Sequence, residues 1–97
     1  MRNQETWQSF GCPRTSRRVC VRHVDGDVIA YQLDTNEVLH LNASAGRVLE
    51  LCDGAHTPAQ IANAVAEACG IEAEIAWDCT TSTLHTLAAY GVIEAAH

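Results

Sequence analysis

Lysine is absent from this chain of 97 residues, and its six cations are all arginine. They are unevenly placed. Through Leu41, five arginines (Arg2, Arg14, Arg17, Arg18, Arg22) match five acids (Glu5, Asp25, Asp27, Asp34, Glu37). From Asn42 onward, Arg47 stands alone against seven acids (Glu50, Asp53, Glu67, Glu72, Glu74, Asp78, Glu94). A C-terminal half so poor in cations repels phosphate backbones and attracts a basic partner, weakly at cellular salt. No apolar run approaches the ~20 residues that a membrane helix needs. The opening stretch MRNQETWQSFGCPRTSRR holds no apolar signal core, which points to a cytoplasmic protein.

The motifs of catalysis and metal binding are missing as well. There is no Gly-rich phosphate loop, no H-E-x-x-H and no Ser/His/Asp arrangement that can be placed. A domain this small also has little room for a pocket of several hundred Å3. The expectation is a protein that is not an enzyme and carries no cofactor. The five cysteines (Cys12, Cys20, Cys52, Cys69, Cys79) are odd in number and include no C-x-x-C pair. They read as reduced thiols, with Cys52 and Cys69 on apolar helix faces as ordinary small core residues. The five histidines (His23, His40, His56, His85, His97) lack the close spacing of structural zinc ligands, so no metal is expected.

What is present fits one domain. Residues 1–16 are polar, with Trp7 and Phe10 interspersed and Pro13 as a breaker, and read as a loosely held arm. The folded domain is then 17–97. Arg17 to Val24 alternates like a half-buried strand, with Val19 and Val21 on one face. Asp25-Gly26 is a hairpin turn signal. Val28 to Leu33 is rich in β-formers, Asp34-Thr35-Asn36 is turn chemistry, and Glu37 to Leu41 forms a third strand. A helix follows at once, capped by Asn42, with Ala45, Val48, Leu49 and Cys52 on one face. Gly54 ends it. Thr57, Pro58 and Gln60 open a second helix with a capping box, whose buried face is Ile61, Ala62, Val65 and Cys69, and which Gly70 closes. A third helix runs from about Ile75 to Tyr90, with Leu84, Leu87 and Ala88 in the core. Val92-Ile93 either adds a last short strand or packs back on the core. The fold class is α+β: a winged helix-turn-helix, in which a three-stranded antiparallel meander is followed by three helices.

Such a scaffold usually suggests DNA. Here the helix that would enter the major groove, IAWDCTTSTLHTLAAY, offers no Arg, Lys, Asn or Gln to read bases or hold phosphates. A winged-helix transcription regulator is therefore the runner-up. The alternative is peptide binding. The strand EVLHLN contains no proline and no lysine to protect it if it lies at the edge of the sheet. Beside it the third helix would present Trp77, Thr80, Thr81, Leu84 and His85. A groove between a free edge and such a helix suits strand addition, in which main-chain bonds give register and side-chain pockets give selectivity. On the residues alone this reading stands level with one in which Trp77 is only core packing and the strand is paired internally.

Two stretches shift that balance. Glu37 to Gln60 and the ending Leu84…Leu87…Gly91-Val92-Ile93 resemble the PqqD-like family, whose domain is also called the RiPP recognition element. Its members show a strand ending in Leu-x-Leu-Asn and a small, apolar helix closing on a Gly turn. A Thr/Ser-capped second helix and a third helix ending near Gly with two aliphatics follow. The resemblance spans about Arg17 to Glu94. It implies a winged-helix fold without enzymatic activity; the scarcity of cations and of long apolar runs already leads to the expectation of no nucleic-acid or membrane partner. The resemblance also implies a peptide chaperone that binds the leader of a ribosomally made precursor peptide and presents it to a modifying enzyme, a radical-SAM maturase or a cyclase/protease. Carried onto this chain, the peptide-binding residues would be Asn36, Glu37, Val38, Leu39, His40 and Leu41 on the strand, with Trp77, Thr80, Thr81, Leu84 and His85 on the helix. Thr80 and Thr83 stand where relatives more often carry bulkier apolar residues, and the arm before Arg17 has no family counterpart. An exposed strand edge also allows a homodimer.

Overall fold

A computed structural model describes residues 11–96. Among these residues five strands and three helices follow one another: β1 (Cys12–Thr15), β2 (Val19–Val24), β3 (Asp27–Gln32), β4 (Glu37–Leu41), α1 (Ala43–Glu50), α2 (Pro58–Cys69), α3 (Ala73–Ala89) and β5 (Ile93–Ala96). Strands β2, β3 and β4 form an antiparallel sheet in that spatial order, and β1 pairs with β5 in a separate ribbon.

Local chemistry explains the boundaries. Asp25 and Gly26 both take positive φ, 52° and 87°. That is the geometry of the two-residue turn whose twist matches its strands. Asn36, also at positive φ, closes the next turn, and its side chain accepts a bond from the Tyr31 hydroxyl at 2.8 Å. The Asn42 side chain accepts from the Ala45 N–H at the start of α1. Thr57 and Gln60 make both bonds of the capping box on α2, with Pro58 at the first helical position. At the end of α3 the Val92 N–H reaches back to the Leu87 carbonyl at 2.8 Å, the long bond of a Schellman cap. That cap turns the chain into β5.

The core lies between the inner face of the sheet and the helices. It includes Val28, Ala30, Leu41, Val48, Leu49, Cys52, Ile61, Val65, Ala76, Leu84, Leu87, Val92 and Ile93. One polar group crosses it with its bonds satisfied. The Gln32 amide, 5% exposed, donates to the Gly91 carbonyl at 2.7 Å and accepts from the Asp34 N–H at 2.9 Å. It ties the central strand to the end of α3.

Four sequence expectations are corrected. The arm was expected to run through Ser16, but residues 12–15 are a strand of the fold. Pro13 is fully buried and its carbonyl accepts from the Gly54 N–H, while Thr15 and Ser16 donate to Cys52 and Val92. This ribbon joins segments some eighty positions apart, and no local pattern announces such a pairing. Residues 1–10, with Trp7 and Phe10, lie outside the described residues. Strand β2 is almost wholly exposed rather than half-buried, because α1 packs against β3 and β4. Cys69 is exposed: α2 ends there, and Ile71 beyond the Gly70 turn packs on the core. Ala88 is exposed too, since the buried stripe of α3 is Ala76, Thr80, Thr81, Leu84 and Leu87.

Candidate functional site

The β4 strand is an edge of its sheet, and no described strand lies beyond it. Hydrogen-bond parity decides which of its amides are free. The Leu33 N–H donates to the Arg18 carbonyl, so at Leu33 the main chain faces β2. Main-chain groups alternate sides along a strand. Hence Gln32, Ala30 and Val28 face β4, where their register partners are Glu37, Leu39 and Leu41. The amides and carbonyls of Val38 and His40 therefore point away from the sheet. Those of Leu39 are already used on Ala30.

The six strand residues of the expected site gather along this border. Asn36 sits in the turn. Glu37 is exposed, with its carboxylate accepting from the Thr35 hydroxyl. Val38 is 58% exposed. The Leu39 side chain is half-buried against the core and Leu41 is buried, so these two anchor the strand from below. The His40 ring meets the Asp27 carboxylate at 2.9 Å across the hairpin.

The five helical residues do not stay together. Thr80, Thr81 and Leu84 are interior residues, and His85 is exposed. The Thr81 hydroxyl donates back to the Trp77 carbonyl at 3.0 Å. Trp77 is half-buried against the core and lines a cavity of about 250 Å3 with Gly11, Thr57, Pro58 and Ala59. None of those four was a site candidate from sequence. The Thr-Pro-Ala-Gln signature was read only as a helix start, although the residues that cap a helix also form the rim beside it.

Thr80 gives a test of the interior assignment. It is fully buried and its hydroxyl has no hydrogen-bond partner among the described residues. An orphaned buried hydroxyl costs about 1–3 kcal/mol. Thr80→Val keeps the shape and the β-branch, so it is expected to stabilise the fold by about 1 kcal/mol, a melting-point rise of roughly 4–8 °C. A lower melting point in calorimetry would show that the hydroxyl does have a partner.

Among the described residues no cluster of three or more His, Cys, Asp or Glu side chains is placed to hold a metal ion. Burial, then the neighbouring Asp53 carboxylate, pushes the Cys52 thiol up from 9.0 to about 12, so it is a poor nucleophile. Because this thiol ionises more easily in the unfolded chain, it favours the fold below pH 9, and that contribution fades as pH rises toward 12. The exposed Asp53 carboxyl is held below 3.8, first by the His56 ring and then by the Ala55 N–H. Its stabilising effect is lost as pH falls through that lowered value. Among the described residues no helix is long and apolar enough to cross a membrane.

This fold has counterparts among known proteins. The chain has 22% identity to TbiB1, solved in complex with the TbiA(beta) leader peptide, with a TM-score of 0.75 over 84% of this chain and 94% of that one. A lasso peptide synthetase B1 complexed with the leader peptide is 18% identical, with a TM-score of 0.74 over 86% of this chain and 98% of the other. The PqqD truncation of Methylobacterium extorquens PqqCD, a stand-alone RiPP recognition element, is 26% identical, with a TM-score of 0.69 over 84% and 87% of the two chains. No curated protein matches the sequence. The family model for coenzyme PQQ synthesis protein D (PqqD) matches residues 27–93, from the start of β3 to the start of β5. With more than half of its length matched by that model and its strands and helices in the same arrangement, this chain belongs to the PqqD family.

Proposed function

We propose that the protein is a peptide chaperone. It binds the leader segment of a ribosomally made precursor peptide as an added strand along β4 and presents it to a modifying enzyme, such as a radical-SAM maturase or a cyclase/protease. It does no chemistry itself and works in the cytoplasm. The observation that carries this reading is the open border of β4, where Val38 and His40 offer main-chain donors and acceptors with no described partner. Two structural relatives were solved with leader peptides bound, which supports the same use of this fold. The DNA-binding alternative has no support in α3, which carries no arginine or lysine.

Strand addition leaves a specific signature. A guest would protect the amides of Val38 and His40, while Leu39 and Leu41 already bond to β3. Hydrogen exchange read residue by residue, with and without a peptide recovered from the native host by affinity capture and identified by mass spectrometry, is therefore expected to slow at Val38 and His40. Little change is expected at Leu39 and Leu41. Protection confined to α3, with the β4 amides exchanging as before, would rule strand addition out. The acids near the start of α3 (Glu72, Glu74, Asp78) further favour a guest with basic character, whose association slows as salt rises.

A further inference from the structure

The sheet has a second open border. At its other side β2 pairs only with β3 among the described residues, in an unbroken register from Val19 to Val24. The same parity applies. Arg18, whose carbonyl accepts from Leu33, faces β3, as do Cys20, Arg22 and Val24. The main-chain groups of Val19, Val21 and His23 point outward. The strand has no lysine, proline or bulge to blunt it, and Val21 and Val24 are 38% and 50% exposed. It is the kind of edge that pairs with another chain unless something prevents it.

Its charges indicate which chain. Among the described residues Arg18 is held by Asp34, but no ion pair engages Arg17, Arg22 or Asp25. We propose that β2 pairs antiparallel with β2 of a second copy, with Val21 on the two-fold axis. In that register Val21 meets Val21 of the second copy, and Val19 meets its His23. Arg22 meets its Cys20, and the turns just beyond the strand ends bring Arg17 toward its Asp25. The arrangement is closed and self-complementary, as a two-fold interface must be. The adjacent registers that also join outward-facing amides set Arg22 against Arg18 or against Arg22 of the second copy. Like charges directly opposite each other destabilise a strand pair. The two β4 borders remain free at the far sides of the continuous sheet, so this pairing is independent of the peptide-binding reading. A single strand pair buries far less than the ~1,600 Å2 of a standard stable complex, so the dimer is weak.

Cysteine cross-linking tests the register. The four thiols outside the core are first removed (Cys12→Ser, Cys20→Ser, Cys69→Ser, Cys79→Ser), leaving the buried Cys52. Val21→Cys then places two thiols on the axis, where hydrogen-bonded partners have Cα atoms about 5.5 Å apart, within disulfide reach. Val24→Cys is the control. Val24 is more exposed, but in this register the two copies of it lie six residues apart along the strand, about 20 Å. Under mild oxidation at high protein concentration, Val21→Cys is expected to dimerise at least tenfold faster than Val24→Cys. Sedimentation of the unmodified chain should show reversible self-association that Val21→Lys abolishes. Equal cross-linking rates at the two positions, or a wild-type chain that stays monomeric up to millimolar concentration, would overturn the proposal.

Discussion

Val38→Pro is expected to weaken guest binding by about 30- to 1,000-fold while the domain stays folded. Proline has no N–H, and its ring occupies the space where a guest carbonyl would approach. The loss combines one main-chain bond with the carbonyl of the guest left unpaired, together about 2–4 kcal/mol. The sheet itself loses nothing at this position, since the Val38 amide points away from β3 and its side chain is largely in solvent. His40→Pro should act in the same way, with a small extra loss from the exposed contact to Asp27. Leu39→Pro should behave differently. It breaks a bond to Ala30 inside the sheet and removes a side chain packed on the core, so it costs about 3 kcal/mol or more of folding stability. Titration calorimetry with the captured peptide and thermal melts separate the two outcomes. Unaltered affinity in both Val38→Pro and His40→Pro, with the fold intact, would remove the basis for strand addition.

Gly46→Ala should destabilise the protein although it improves a helix. Alanine in the middle of α1 gains about 1 kcal/mol in helix propensity over glycine. A Cβ at this position, however, would lie 2.5 Å from Val28 Cγ2 and 3.1 Å from Val28 Cβ. Val28 is buried and β-branched in the central strand, which is bonded on both sides, so it cannot swing away. Relief requires α1 to lift from the sheet, and overpacking of this kind costs about 1–3 kcal/mol. Once the helix gain is subtracted, the net expectation is a loss of up to about 2 kcal/mol by urea unfolding for Gly46→Ala, and more for Gly46→Val. Val28→Ala alone should also destabilise, through the cavity it leaves. Combined with Gly46→Ala it should cost clearly less than the sum, because one change fills the space the other vacates. Simple additivity would mean that the two residues do not press on each other.

The elements of this fold were legible where they depend on neighbours in sequence. Asp25-Gly26 and Asp34-Thr35-Asn36 placed both turns of the meander, Asn42 and the Thr57 capping box opened two helices, and Gly91 marked the end of the third. Each acts over a few residues through backbone angles or one side-chain bond. The buried faces of α2 and α3 were harder to read. Thr80 and Thr81, expected on the helical wall, are buried, while Cys69 and Ala88, expected in the core, are exposed. Residue type gives the tendency to bury, but what lies over each helix turn depends on how the helices cross.

The residues themselves carried the resemblance to the family and placed the strands of the meander and the helices, because turn chemistry and hydrophobic spacing are local properties. Three matters needed the assembled chain. One is the β1–β5 ribbon, formed by segments from opposite ends of the sequence. Another is the close approach of Gly46 to Val28, which exists only once helix and sheet are packed. The last is the choice of Val38 and His40 over Leu39 as the outward-facing amides. Every residue of a strand carries the same donor and acceptor, and only the pairing with the neighbouring strand determines which of them remain unused.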